Sequence, residues 1–286
     1  MKKAFNYGFT LVELAIVLVI VALMASGVLA GQQIIEQAHL SRLSSDIKNY
    51  MSAVEIFKAK YNGYPGDLSN ASTVGLDRDK TGTQNVSKTN FSNNNGDGDN
   101  HFEGYGFPTS YGMSGGEDLN FWIHLSNAAV IKAQFQQVND CNYFNAGNRC
   151  TTTAGAAYPK TSIGGGIVVI LMNSRLYFVT GVGESLPHGA FFSKHEGDSN
   201  SILSETLTPY QAYFIDSKFD DGNPYSGKAY IYGEAEDEEE GGYGYNALSS
   251  PEIDPSPGTT DCFDEGAETY NLILTTKVCS IAIRYH

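Results

Sequence analysis

With 286 residues the chain is long enough to bury one or two cores. Its 18 Lys and Arg stand against 32 Asp and Glu, a net charge of −14. Without clustered basic residues it lacks the phosphate-neutralising surface that nucleic-acid binding demands, so no nucleic-acid partner is expected. Enzyme signatures are missing too: there is no GxSxG elbow, no HExxH, no phosphate-binding GxxxxGK[ST], and no GxGxxG opening a helix after a strand.

The first element begins MKKAFNYGFTLVELAIVLVIVALMASG. Lys2 and Lys3 precede an apolar run from Phe9 to Ala30, and Glu13 is the single charge inside it. As a helix that run is about 33 Å long, enough to cross a bilayer core. The basic flank sets the N-terminus in the cytoplasm and directs the chain beyond the span to the far side of the membrane. A cleaved secretory signal peptide explains the basic start and the small residues of MASG and VLAG, but its apolar core is ordinarily shorter. A plain anchor explains the length and leaves Glu13, whose charge costs roughly 2.5–3.5 kcal/mol near a membrane-helix centre, without a reason.

The string GFTLVELAIVLVIVALMA resembles the N-terminal signature of type IV pilins and of the pseudopilins of type II secretion. It shows a short basic leader ending in Gly8, then Phe9, the TLVEL core with Glu13, and an unbroken apolar helix. The resemblance implies cleavage between Gly8 and Phe9 by a prepilin peptidase, which also methylates the new amine of Phe9. It further implies that Glu13 meets the charged N-terminus of a neighbouring subunit during assembly. Two opposite charges stranded in lipid each lack water, so pairing relieves both and favours one axial register. The implied location is a single pass through the bacterial inner membrane with a periplasmic head, then a pilus or pseudopilus. The implied partners are the peptidase, other pilin or pseudopilin subunits and an inner-membrane assembly platform.

After Ala30, the positions Ile35, Leu40, Leu43, Ile47, Tyr50, Met51, Val54, Phe57 and Tyr61 step mostly by three or four, the spacing of an amphipathic helix. Gly63, Pro65 and Gly66 stop it. Phe9 to Tyr61 therefore reads as one near-continuous helix, with Gly27 and Gly31 as weak points. The divisions expected are a leader at 1–8, a membrane and filament-core helix at 9–30, an amphipathic helix at 31–61, and an exported head at 62–286.

Within the head, GEDLNFWIHLSNAAVIKAQF reads as a second helix burying Leu119, Phe121, Trp122, Leu125, Ala128, Ala129 and Ile131. GGGIVVILMNSRLYFVTGV reads as two strands joined near Asn173 and Ser174. SETLTPYQAYFIDSKFDDG reads as a third helix, capped near Ser204 or Thr208 and closed by Gly222. GKAYIYGEAE is a further strand, and TYNLILTTKVCSIAIRYH supplies one or two more. One long helix, an antiparallel sheet and two shorter helices make an α+β, pilin-like fold. KYNGYPGDLSNA, NGDGDNHFE, EDLNFWIHLSNAAVI and FIDSKFDDGNPYSGKA are also similar to a family of large pseudopilin-like proteins, which strengthens the fold and adds little on function.

Candidate chemistry is sparse. In SNNNGDGDNHFE, Asn93, Asn95, Asp97, Asp99 and Glu103 offer oxygens around flexible glycines, a composition that suits Ca²⁺. The EF-hand pattern is only partly met, and a turn whose Asx side chains bond their own backbone is the plainer reading of 93–103. Asp220, Asp221 and Asn223 read as a helix-end turn with Gly222 left-handed, in preference to a metal site. The acidic run at 234–242 reads as a solvated loop. The six histidines are scattered, and nothing ties His188 and His195 to a nucleophile. Cys141 with Cys150 and Cys262 with Cys279 are two close pairs, without CxxC or zinc-ligand histidines. An even count in an exported chain favours disulfides in one of three connectivities, the two local pairs foremost; reduced, buried thiols are the alternative. The reading is an assembly subunit with no required cofactor; its rival is a membrane-tethered, calcium-dependent adhesion protein that does not polymerise.

Overall fold

The computed structural model describes residues 10–76, 96, 98–100, 117–135, 151–156, 158–172, 175–182, 185–187, 206–224, 226–231, 262–264 and 269–285. Helix α1, Leu11–Tyr61, is 51 residues long, about 77 Å. It starts where Thr10, in extended conformation, caps the first turn, and it ends at Asn62, which is left-handed with φ 55° and donates its N–H to the Lys58 carbonyl. It continues through Gly27 and Gly31 without a break.

The two halves of α1 bury differently. Leu40, Leu43, Ile47, Val54 and Phe57 are buried along one stripe, with Tyr50, Met51 and Tyr61 packed beside them. Ile35 departs from the sequence expectation. It is exposed because the head begins to cover α1 only at Glu36, one position beyond it.

The head builds on that stripe. Helix α2, Glu117–Asn127, brings Trp122 to Tyr50 of α1, ring centroids 5.0 Å apart and edge-to-face. Strands β2 (Gly166–Met172) and β3 (Arg175–Val182) form an antiparallel hairpin. β8 (Ile281–Arg284) pairs with β3, and β5 (Ala229–Ile231) pairs with β8, giving the antiparallel order β2-β3-β8-β5. Phe178 of β3 meets Phe121 and Trp122 of α2 at 6.0 and 6.4 Å, so α2 lies between α1 and the sheet. Aromatic contacts of this kind add about 0.5–1.5 kcal/mol each beyond burial. Two short ribbons accompany the sheet: β1 (Thr151–Thr153) with β4 (Ser185–Pro187), and β6 (Phe263–Asp264) with β7 (Thr269–Tyr270).

Helix α2 is shorter than its sequence pattern suggests. It closes after Asn127, where Ala129 turns left-handed (φ 58°) and the Val130 N–H reaches the Leu125 carbonyl. Ala129 is exposed and Ile131 half-buried, because the chain folds back to place Phe135 against Trp122 at 5.7 Å and bond its N–H to the Ser126 hydroxyl. Periodicity alone does not reveal that tertiary reversal. Leu119 is in α2, but its side chain lies outside the described residues.

Helix α3, Pro209–Phe219, starts at a capping box in which Thr208 and Gln211 satisfy each other's backbone N–H groups. It runs alongside α1. Gln211 donates to the Glu36 carboxylate at 2.8 Å, and further along Lys48 donates to the Lys218 carbonyl at 2.8 Å. The two helices are therefore parallel, and α3 starts at the end of the head where α1 emerges.

Candidate functional site

The N-terminal turn of α1 organises Glu13. Thr10 and Glu13 form a reciprocal capping box. The Glu13 N–H donates to the Thr10 hydroxyl at 3.2 Å, and the Glu13 carboxylate accepts from the Thr10 N–H at 2.8 Å and its hydroxyl at 2.9 Å. The T-x-x-E spacing of TLVE dictates this, since N-cap and N3 face each other across the first turn. The acid is thus held at the start of the helix, with its Oε2 accepting both bonds from Thr10.

Beyond that turn, Leu14, Ile16, Val17, Leu18, Val19, Ile20, Val21, Leu23, Met24 and Val28 are all exposed. The helix is long and apolar enough to cross a membrane, and the most apolar 18-residue stretch of it has no residue buried in the head. An apolar surface all round a helix is stable in lipid or against other apolar helices, and nowhere in water. Gly8 and Phe9 lie outside the described residues.

Of the candidate calcium ligands, Asn93, Asn95, Asp97 and Glu103 lie outside the described residues; Asp99 is described and exposed. What organises its turn is Asp67, a buried residue that the sequence pattern did not single out. Its two carboxylate oxygens accept the N–H groups of Gly98 and Asn100 at 2.8 and 2.9 Å. The Gly96 N–H bonds the neighbouring Leu68 carbonyl at 3.1 Å. The PGD sequence after α1 is therefore a joint: Asp67 fastens the Asn/Asp/Gly segment, and the Gly66 N–H donates to buried His124 Nδ1 at 2.8 Å, fastening α2. A carboxylate that needs backbone donors, placed directly after a helix stop, is the signal that could have found Asp67.

The second acidic group is Asp216, Asp220 and Asp221, whose oxygens lie within 4.8 Å of one another. Asp216, like Asp67, was not marked by the sequence. It is fully buried at the end of α3 and accepts from the Tyr270 hydroxyl at 2.8 Å and the Gly222 N–H at 3.1 Å. Burial first, then the hydrogen bond and charge of Asp220, push its carboxyl up to about 8. Burial also acts to raise Asp220, but hydrogen bonds from Asp216 and from the backbone of Lys228, Asp221 and Ala229 outweigh it and hold its carboxyl low. Of the two, Asp216 is the carboxyl whose surroundings favour the protonated form. Gly222 is left-handed at φ 74°, the helix-end turn the sequence pattern indicates. Asp220 and Asp221 are spent on this turn, Asp220 accepting from Ala229 and Lys228 N–H and Asp221 from the Ser226 hydroxyl at 2.6 Å.

Cys262 and Cys279 form a disulfide. Cys141, Cys150, the acidic run at 234–242, His188 and His195 lie outside the described residues.

Among known protein families, the prokaryotic N-terminal methylation motif matches residues 4–29, the signature of type IV pilins and pseudopilins. The match ends inside the exposed half of α1, so it covers the stretch around Gly8 and Phe9 and the part of the helix that bears Glu13, and none of the head. No curated protein and no solved structure matches the chain.

Proposed function

We propose that the chain is a pilin-like subunit that is cut after Gly8, methylated at Phe9, anchored by the first half of α1, and then built into a type IV pilus-like or type II secretion filament. The observation that carries this reading is the methylation motif running without interruption into an apolar helix that the head leaves uncovered. Each part then has a physical task. The apolar surface of α1 holds the subunit in the membrane until equivalent helices replace the lipid around it. Glu13 draws the N-terminal amine of an adjacent subunit and so sets the axial register, because a charge pair in an apolar core tolerates few alternatives. The head faces solvent and requires no cofactor. The partners are the prepilin peptidase, sister subunits and the assembly platform; no catalytic step is assigned to this chain.

Mass spectrometry of the mature protein tests the reading. The expected N-terminal peptide starts at Phe9 and carries one added methyl group. An intact Met1, or a start after Ala25 or Ala30, refutes it. Glu13→Leu should leave that peptide unchanged while removing the subunit from sheared filaments.

A further inference from the structure

The loop between β7 and β8, residues 271–280, is tied at its base by the disulfide between Cys262 and Cys279 and by the antiparallel bridge of Cys279 with Leu207. Two bulky apolar side chains project from it: Leu272 is 51% exposed and Ile273 91%, the latter the most exposed large apolar residue in the described part of the head. Thr275, Thr276 and Lys277 beside them are also exposed. An isoleucine displayed to this degree beside a leucine, on a loop that a disulfide holds in place, offers a small fixed apolar contact.

Its place in the fold says what that contact meets. Leu207 lies two residues before α3, whose first turn meets α1 at Glu36 and Gln37. The loop is therefore fastened at the end of the head where α1 emerges. From Cys279 onward the chain runs away from that end along β8, until Tyr285 packs under Lys58 of α1, the ammonium 5.5 Å from the ring centroid. The Asn271 N–H bonds the Cys262 carbonyl at 3.0 Å, so the loop leaves and returns at the disulfide. Just before that end of the head, α1 exposes Ile34 and Ile35. Glu36 stands six residues beyond Ala30, about 9 Å along the helix. The polar interfacial layer of one leaflet is roughly 5–7 Å deep, so a loop reaching just below Glu36 meets it. Charge agrees with that position. In a chain of net charge −14, the loop from Asn271 to Ser280 contains no acid and carries Lys277.

We propose that Leu272 and Ile273 rest in the lipid–water interface of the bilayer that α1 crosses, giving the unassembled subunit a second membrane contact besides its helix. This rests on the membrane-anchored reading of α1. With α1 as pivot, the second contact fixes the tilt and azimuth of the head over the membrane before assembly.

The test uses the full-length protein, reconstituted at low density in phosphatidylcholine/phosphatidylglycerol vesicles. Ile273→Trp adds an emitter at a site with room for it, while native Trp122 is buried in the core. The expected result is a blue-shifted added emission, quenched by lipids brominated near the glycerol and shielded from aqueous iodide. Added emission that iodide quenches and bromolipids leave unchanged overturns the proposal. So does shielding that appears only when protein density is raised, since the occupant is then a neighbouring subunit. Resistance to carbonate extraction is measured on the same vesicles. An extractable protein refutes both the anchored reading and this one, whereas a resistant protein with an iodide-accessible loop refutes this one alone.

Discussion

The two halves of α1 are one continuous helix with opposite surroundings. From Leu11 to Ile35 the bulky apolar side chains described are exposed on every side; from Leu40 to Phe57 they alternate with polar residues and, Ile56 apart, lie buried or half-buried on one stripe. The first half has more apolar residues and contributes nothing to the head, while the second has fewer and anchors its core. Hydrophobicity by itself therefore does not say what an element packs against. An all-round apolar helix gives a single head no preferred face, whereas a stripe at helical spacing admits only one docking azimuth.

This contrast can be broken or sharpened by substitution. The largest expected effect comes from Phe57→Ala, which empties a fully buried site and should cost about 3–5 kcal/mol. Val17→Ala, in the exposed half, should leave thermal unfolding of the head in detergent unchanged. Equal shifts from both would mean that the halves are not independent. Next, replacing Cys262 and Cys279 together by Ser frees the loop at 271–280 and should cost about 2–4 kcal/mol. Urea titration of the head with and without reductant measures it. Asp67→Ala leaves the Gly98 and Asn100 N–H groups without their acceptor, at about 1–3 kcal/mol. Amide exchange should quicken at those two positions and stay slow in the middle of α1.

The last test reads pH dependence in place of a loss of stability at one pH. Asp216 is raised to about 8 in the fold from an ordinary 3.8, so between those values the folded chain holds a proton that the unfolded chain has lost. Its contribution is fully present below pH 4, declines as pH rises towards 8, and changes no further above that. Asp216→Asn preserves a neutral side chain with an oxygen for Tyr270 and Gly222. It should flatten the fall in melting temperature from pH 5 to 8 and leave the head at least as stable at pH 8. An unchanged slope would show that Asp216 is ionised in the fold.

Much of the site was legible because it is local. The apolar run encodes its own helix and the start of α3 reads to within a few residues, while the capping box of TLVE, equally local, is seen only in the structure. The residues that went unmarked each have a distant partner, Gly98 31 positions from Asp67 and Tyr270 54 from Asp216, although Asp216 also meets nearby Gly222. No window of sequence brings Asp216 to Tyr270. The end of α2 was unpredictable for the same reason: an unbroken apolar period continues to Ile131, and only the return of Phe135 onto Trp122 cuts it short.

By itself, then, the sequence determined the leader signature, the membrane-length helix with a single acid in it, the stripe that docks the head and the positions of the hairpin and caps. All of these arise from interactions within a few turns or from side-chain period. Tertiary structure alone decided where the head starts to cover α1, leaving Ile35 outside, and which carboxylates are buried beside which donors. It also decided which end of the head carries Leu272 and Ile273. Those outcomes depend on where distant strands and helices meet, and chain-closing contacts of that kind are set by the packing of the whole head.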